Sequence, residues 1–170
     1  MKHARWLLFA ALALSPMMAL GQISENCAAL TAADILNKLH SINQAEISKA
    51  GLVLDRSKNA EVRKFAARMV RDHGKADQLV SALATTKGLA LADAHSDNHG
   101  LAELKGGPFD RAYIDGMVTG HRDALEFLTH ADAQSSDAAV RGLIKKLRPV
   151  VAQHEELARQ IQVDRPPVGG

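Results

Sequence analysis

Apolar residues recur every three or four positions along most of the chain, in four long segments. This spacing places the apolar side chains on one face of an α-helix, so each segment is predicted to be an amphipathic helix. Local signals mark the ends: Thr31 and Asp34 suit a capping box at the first start, and Gly88 suits the end of the second helix. The predicted helices cover residues 32–57, 60 to 86 or 87, 108–134 and 137–163.

The connections between these helices predict their arrangement. The breaks at residues 58–59 and 135–136 are so short that each pair of helices is expected to form an antiparallel hairpin. Residues 89–107 are long for a bundle connection and are expected to cross the bundle, with a short helical turn near residues 101–104. The predicted fold class is therefore all-α: an antiparallel four-helix bundle built from two hairpins joined by a long crossover.

The two hairpins also resemble each other faintly in sequence, at an offset of 78 residues. Residues 59–63 (NAEVR) resemble residues 137–141 (DAAVR), and each follows a break that contains serine. In this register Asn43 corresponds to His121, whereas His73 and His154 correspond only if three residues are inserted near Pro149. The repeat favours two related hairpins.

Each predicted helix carries one polar residue inside its apolar stripe. These residues are Glu46, His73, His121 and His154, and all four lie well within their helices. A polar side chain buried in a helical core is costly unless it is hydrogen-bonded, paired or bound to an ion. We therefore expect the four side chains to converge in the interior of the bundle.

One interpretation of this set is a metal site. Three imidazoles and a carboxylate form a borderline ligand set suited to zinc, copper, nickel or iron. Met69 and Met117 each precede a histidine by four residues, and thioether ligands in an exported protein would favour copper. Asn43 lies at the edge of the stripe that contains Glu46 and is expected to support the ligands.

The other interpretation is purely structural, and both remain open. Buried histidines and a glutamate can satisfy one another in a hydrogen-bonded network that fixes the register of the helices. The usual di-iron site is not expected, because valine stands where the glutamate of each Glu-x-x-His motif would be, at Val70, Val118 and Val151. The sequence also contains no nucleophile elbow, phosphate loop or Cys-x-x-Cys motif, so catalysis is not favoured.

The amino terminus has the pattern of a cleaved secretory signal. Lys2 and Arg5 precede a nearly unbroken apolar run from Trp6 to Leu14, and Ala19 and Gly21 are small residues suited to signal peptidase. The run is short for a membrane span, so no transmembrane anchor is expected after cleavage. The predicted division is a signal peptide at residues 1–21, an irregular leader at 22–30, the helical domain at 31–163 and a disordered tail at 164–170.

Signal removal changes the charge balance of the chain. The full sequence has 21 basic and 19 acidic residues, and without Lys2 and Arg5 the two counts become equal at 19. A formally neutral protein gives no reason to expect a nucleic-acid partner. Cys27 is the only cysteine, so an internal disulfide is excluded. We expect a periplasmic or secreted protein.

Several short segments resemble the exported bacterial family known as domain of unknown function 4142. They are residues 43–46 (NQAE), 62–66 (VRKFA), 69–73 (MVRDH), 109–113 (FDRAY), His121, and 149–154 (PVVAQH). The resemblance spans most of residues 31–161 and implies a ferritin-like four-helix bundle in the periplasm or outside the cell. It implies no established reaction, although family members are often labelled membrane or outer-membrane proteins.

The expected function is therefore an exported, non-catalytic envelope or stress accessory whose polar core binds one transition-metal ion. The alternative is a structural or partner-binding bundle, and a metal-dependent oxidoreductase is less favoured because no catalytic motif is present. The sequence names no protein partner and does not choose among copper, zinc and iron.

Overall fold

The computed structural model describes residues 30–94 and 98–163, which form five helices and no strand. The predicted signal peptide, Cys27 and the tail lie outside the described residues, as does the leader apart from Leu30, and these assignments stay predictions. The helices are α1 (Ala32–Arg56), α2 (Ala60–Thr86), α3 (His99–Ala102), α4 (Gly106–Gln134) and α5 (Ala138–Val163).

The four long helices lie where the sequence predicts them, with each end within two residues of its expected position. At the start of α1, Thr31 and Asp34 form both halves of the capping box. After α2, Gly88 has a φ of 66°, in the left-handed region that glycine adopts without steric cost. The short helical turn predicted in the crossover is α3, two residues earlier than expected. The predicted all-α fold class is confirmed.

The turns between α1 and α2 and between α4 and α5 are built in the same way. In each, a serine hydroxyl accepts the backbone N–H of the helix-capping residue at 3.2 Å. The side-chain oxygen of the capping residue accepts the N–H groups two and three positions further on, at 2.9–3.2 Å. An arginine then donates to the serine carbonyl. These residues are Ser57, Asn59 and Arg63 in the first turn and Ser135, Asp137 and Arg141 in the second.

The packing divides the core into two apolar layers. Helix α1 packs mainly against α2, α4 packs mainly against α5, and α2 against α5 joins the two hairpins. One layer includes Ile35, Leu39 and Val80, together with Leu128 and Ile144. The other is formed by Ala50, Val53, Val62, Phe65, Ala66, Met69, Phe109, Tyr113, Ile114, Met117 and Ala158.

A polar layer lies between the two apolar layers. On each long helix the buried polar residues fall between the segment that enters one apolar layer and the segment that enters the other. These buried polar residues are Asn43 and Glu46 on α1, His73 on α2, His121 on α4 and His154 on α5. The fold thus places one level of hydrophilic side chains in the middle of an otherwise apolar core.

The crossover from α2 to α4 is fastened to α1. The guanidinium group of Arg56 donates to the carbonyl groups of Ala102 and Leu104, each at 2.7 Å. Near the other end of α1, the side-chain oxygen of Asn37 accepts the backbone N–H of Ala92 at 2.8 Å. These bonds attach both ends of the crossover to α1. Helix α4 then follows the crossover and pairs with α5. Among the described helices, none is long and apolar enough to cross a membrane.

Candidate metal centre

Three histidines from three helices meet in the polar layer. His73, His121 and His154 are 5%, 3% and 1% exposed. One ring nitrogen from each lies within 4.8 Å of one from each of the others, and the ring centroids are 5.3–5.6 Å apart. The distance between His73 Nε2 and His121 Nε2 is 3.4 Å. Nitrogens bound at 2.0–2.1 Å to a tetrahedral ion would lie about 3.3 Å apart, so this pair has the spacing of two ligands.

Hydrogen bonds on the outer side define the tautomers of the first two rings. His73 Nδ1 donates to Asn43 Oδ1 at 3.0 Å, and His121 Nδ1 donates to the backbone carbonyl of Met117 at 2.8 Å. Both partners are acceptors, so in the neutral rings the proton is on Nδ1 and Nε2 carries a lone pair. Two lone pairs therefore face each other across 3.4 Å. A cation held between them would replace this repulsion with two attractive contacts.

In His154 the two ring nitrogens exchange roles: Nε2 is the donor, and Nδ1 has no partner among the described residues. His154 Nε2 donates to Asp72 Oδ2 at 3.2 Å, whereas His154 Nδ1 is buried and has no hydrogen-bond partner in the described part of the chain. Its free lone pair is therefore on Nδ1. Metal-binding histidines usually donate their second N–H group to a carboxylate or carbonyl, which fixes the ring and makes the ligating nitrogen more basic. All three rings meet this condition.

The electrostatic surroundings keep His73 and His154 neutral at physiological pH. Burial, together with the neighbouring His121 and His154, lowers the pKa of His73 to about 3, and the nearby Asp72 opposes this shift only in part. Burial lowers the pKa of His154 to about 4, although its hydrogen bond to Asp72 opposes this shift. A neutral imidazole is the form that binds metal ions.

Asp72 contacts the histidine cluster, although the apolar stripe of α2 did not predict it. Burial raises the pKa of its carboxyl group, but hydrogen bonds from His154 and Arg71 outweigh that effect and the pKa is lowered. Asp72 lies beside the stripe of α2 and is 18% exposed, so its spacing resembles that of an ordinary surface residue. The available signal was its position next to His73 in the segment 69–73 (MVRDH).

The remaining residues that the sequence proposed for the site lie outside the three-histidine cluster. Glu46 is buried and lines the same cavity as the histidines, but it lies outside the group whose ligand atoms are mutually within 4.8 Å. Asn43 contacts His73, in the supporting position expected for it. Met69 and Met117 are buried in the adjacent apolar layer and do not line the cavity. The structure therefore brings three of the four inward residues into one cluster.

The donor set suits a single borderline transition-metal ion. Three imidazole nitrogens fit zinc, copper, nickel or iron, and three protein ligands leave the fourth position of a tetrahedral ion open. No sulfur ligand lines the cavity within the described residues, which removes the donor type that would favour a soft monovalent ion. The residues present thus fit an ion at this position.

An all-α bundle of two hairpins with a buried three-histidine cluster is the class of protein that the fold and the site define. The chain belongs to the family described as Domain of unknown function (DUF4142), which matches residues 18–161. The resemblance seen in the sequence is confirmed. No curated protein matches the sequence.

Solved structures with the same fold include proteins described as metal-bound. The silver-bound form of CopM is 17% identical, with a TM-score of 0.70, and the match covers 81% of this chain and 99% of CopM. CopM is also described in Cu(I)-bound and Cu(II)-bound forms.

Two structures from the DUF305 group are similar as well. A fragment from Deinococcus radiodurans is 14% identical, covers 79% of this chain and 96% of its own, and has a TM-score of 0.70. A protein from Streptomyces coelicolor described as secreted is 14% identical, covers 79% and 93%, and has a TM-score of 0.68. At these identities the likeness shows the fold alone.

Proposed function

We propose that this chain binds one divalent transition-metal ion through His73, His121 and His154, as a non-catalytic accessory protein of the bacterial envelope. The observation that carries the proposal is the convergence of one ring nitrogen from each of three buried histidines, each of which has a nitrogen held by an acceptor outside the cluster. The description of CopM in silver- and copper-bound forms supports metal binding on this fold. The predicted signal peptide and the secreted relative support an exported location.

The test measures the metal content and the metal affinity of the protein purified after expression of the full-length chain. We expect one equivalent of zinc or Cu²⁺ by elemental analysis after metal loading and desalting, and a loss of at least tenfold in affinity for His73→Ala. His130→Ala is the matched control, because His130 is exposed on the same helix as His121 and should leave binding unchanged. Substoichiometric metal that is unaffected by His73→Ala would refute the proposal.

The polar contacts that join three helices through this layer favour a second function, a purely structural polar layer. Asn43, His73, His121 and the Met117 carbonyl form a continuous series of contacts that joins α1, α2 and α4. This alternative predicts that His121→Gln changes the thermal midpoint but leaves metal content and ligand response as they were. If the His121→Gln variant stays folded but no longer takes up metal, the result favours the metal centre over the structural alternative.

A further inference from the structure

Two buried polar atoms on described residues that line the cavity remain without partners after the hydrogen bonds of the histidines are assigned. Asn43 Nδ2 and Glu46 Oε2 are buried and have no hydrogen-bond partner in the described part of the chain. Both residues line the histidine cavity. A buried donor and a buried acceptor left unpaired are costly, so a ligand that meets both would be stabilised.

Glu46 is held so that one carboxylate oxygen has a partner and the other has none. Its Oε1 lies 3.5 Å from Lys49 Nζ and 3.9 Å from the place that a side chain at Gly120 would occupy. Tyr113, another buried group affected by the charge of Glu46, lines a separate surface cleft with Lys49. The Oε2 atom is therefore the carboxylate oxygen of Glu46 that remains available to a ligand.

The cavity is small and mostly apolar. Its volume is about 40 Å³, and since each water molecule needs at least about 10–15 Å³, the cavity has room for two or three. Leucine and valine side chains form much of the remaining wall. Gly120 also lines the cavity and is exposed. Only a ligand of a few atoms fits beside the histidines.

We propose that Asn43 and Glu46 form a pocket for a small neutral ligand bearing an O–H group, water in the simplest case, at the open position of the ion. The inference rests on the proposed metal centre. Glu46 accepts the O–H group of the ligand, and Asn43 Nδ2 donates to its oxygen. A small anion in the same place would be attracted by the ion but repelled by the Glu46 carboxylate in a poorly solvated cavity, so the pocket binds anions less tightly than it would without that charge.

The experiment uses Co²⁺ as the metal and azide as the anionic probe, with the visible absorption of Co²⁺ reporting its coordination. We expect azide at low millimolar concentration to leave the spectrum of the wild-type Co²⁺ protein unchanged. Glu46→Gln keeps the shape of the side chain and removes its charge, and we expect it to strengthen azide binding about tenfold or more. Asp123→Asn is the control for a general change in charge, because Asp123 is exposed on the helix that carries His121.

The outcomes separate this inference from the metal centre itself. If the wild-type protein takes up no Co²⁺ at the histidines, the proposed function fails. If Co²⁺ binds but wild-type protein already binds azide tightly, the pocket is refuted whether or not the Glu46→Gln variant folds. Equal azide affinity in the wild type and Glu46→Gln, or an equal gain in Asp123→Asn, also refutes it.

Discussion

A histidine in an apolar core has two ring nitrogens that need polar partners, and the two nitrogens of His73 have different ones. Its Nδ1 donates to Asn43, and its Nε2 faces His121. The asparagine thus fixes both the orientation of the ring and the nitrogen that is left free for an ion. Asp72 does the same for His154 from the adjacent position on α2.

This burial makes the stability of the metal-free protein depend on pH. The pKa of His73 is about 3 and that of His154 about 4 in the folded state, against 6.5 as the ordinary value. The folded state therefore favours the neutral rings, and their contribution is fully present above pH 6.5 and lost as the pH falls toward 4. We expect each ring to lower the free energy of unfolding by about 1–2 kcal/mol between pH 7 and pH 5.

Urea denaturation of the metal-free protein at pH 7, 6 and 5 measures this effect. The carboxyl groups with lowered pKa have ordinary values of 3.8, so their contribution changes only at lower pH. His73→Gln should make the slope of stability against pH shallower, whereas His130→Gln, at an exposed site, should leave the slope as in the wild type. Stability that stays constant or rises between pH 7 and pH 5 would contradict the assignment of neutral buried rings.

At the scale of the elements, the two hairpin turns use one design with a different capping residue. Asn59 caps α2, and Asp137 caps α5 while also forming an ion pair with Lys87. The shared design explains the sequence repeat. Residues 59–63 resemble residues 137–141 because both segments begin a helix with the same capping hydrogen bonds. The turns fix the antiparallel pairing of each hairpin.

The capping residues are expected to contribute similar stability, with an addition at Asp137 from Lys87. Asn59→Ala and Asp137→Ala each remove the acceptor for two backbone N–H groups, so each should lower the free energy of unfolding by about 1 kcal/mol. Asp137→Asn keeps the cap and removes the charge, so its loss should be smaller than that of Asp137→Ala. Chemical denaturation at pH 7 measures these differences, with the exposed Ser136→Ala as control. An Asp137→Asn loss as large as that of Asp137→Ala would show that the cap contributes little.

At the scale of the whole molecule, the sequence could predict where each helix begins and ends and which of its faces is turned inward, that is, its phase. Apolar spacing and caps are local signals, so the helices and their inward polar positions followed from them. Phase does not give the position of a side chain along the bundle axis. Met69 and Met117 precede histidines by four residues, which is about 6 Å along a helix and places them in the neighbouring apolar layer.

Side-chain direction is a second quantity that helical phase leaves open. Glu46 was predicted to face inward, and it is buried, but its Oε1 lies toward Lys49 on its own helix. Asp72 lies at the edge of its stripe and still reaches His154 on α5. The contact of Asp72 depends on the packing of α2 against α5, which no single-helix pattern contains, and the direction of Glu46 depends on its side-chain conformation.

The proposed metal centre would also join the two hairpins. His73 belongs to the first hairpin, and His121 and His154 belong to the second, so an ion bound to all three connects parts of the bundle that otherwise meet mainly where α2 packs against α5. Binding should therefore stabilise both hairpins together. At a free metal concentration 100 times the Kd, we expect a gain of about 2.7 kcal/mol in the free energy of unfolding.

Amide hydrogen exchange with and without zinc tests this coupling. We expect slower exchange around His73 on α2 and around His121 on α4 at the same metal concentration, because opening either hairpin breaks bonds to the shared ion. His154→Gln removes one ligand and should reduce the added protection in both hairpins. Protection confined to α4 and α5 would mean that the ion binds within one hairpin, and the three-helix joint would then be wrong even if metal binding itself were present.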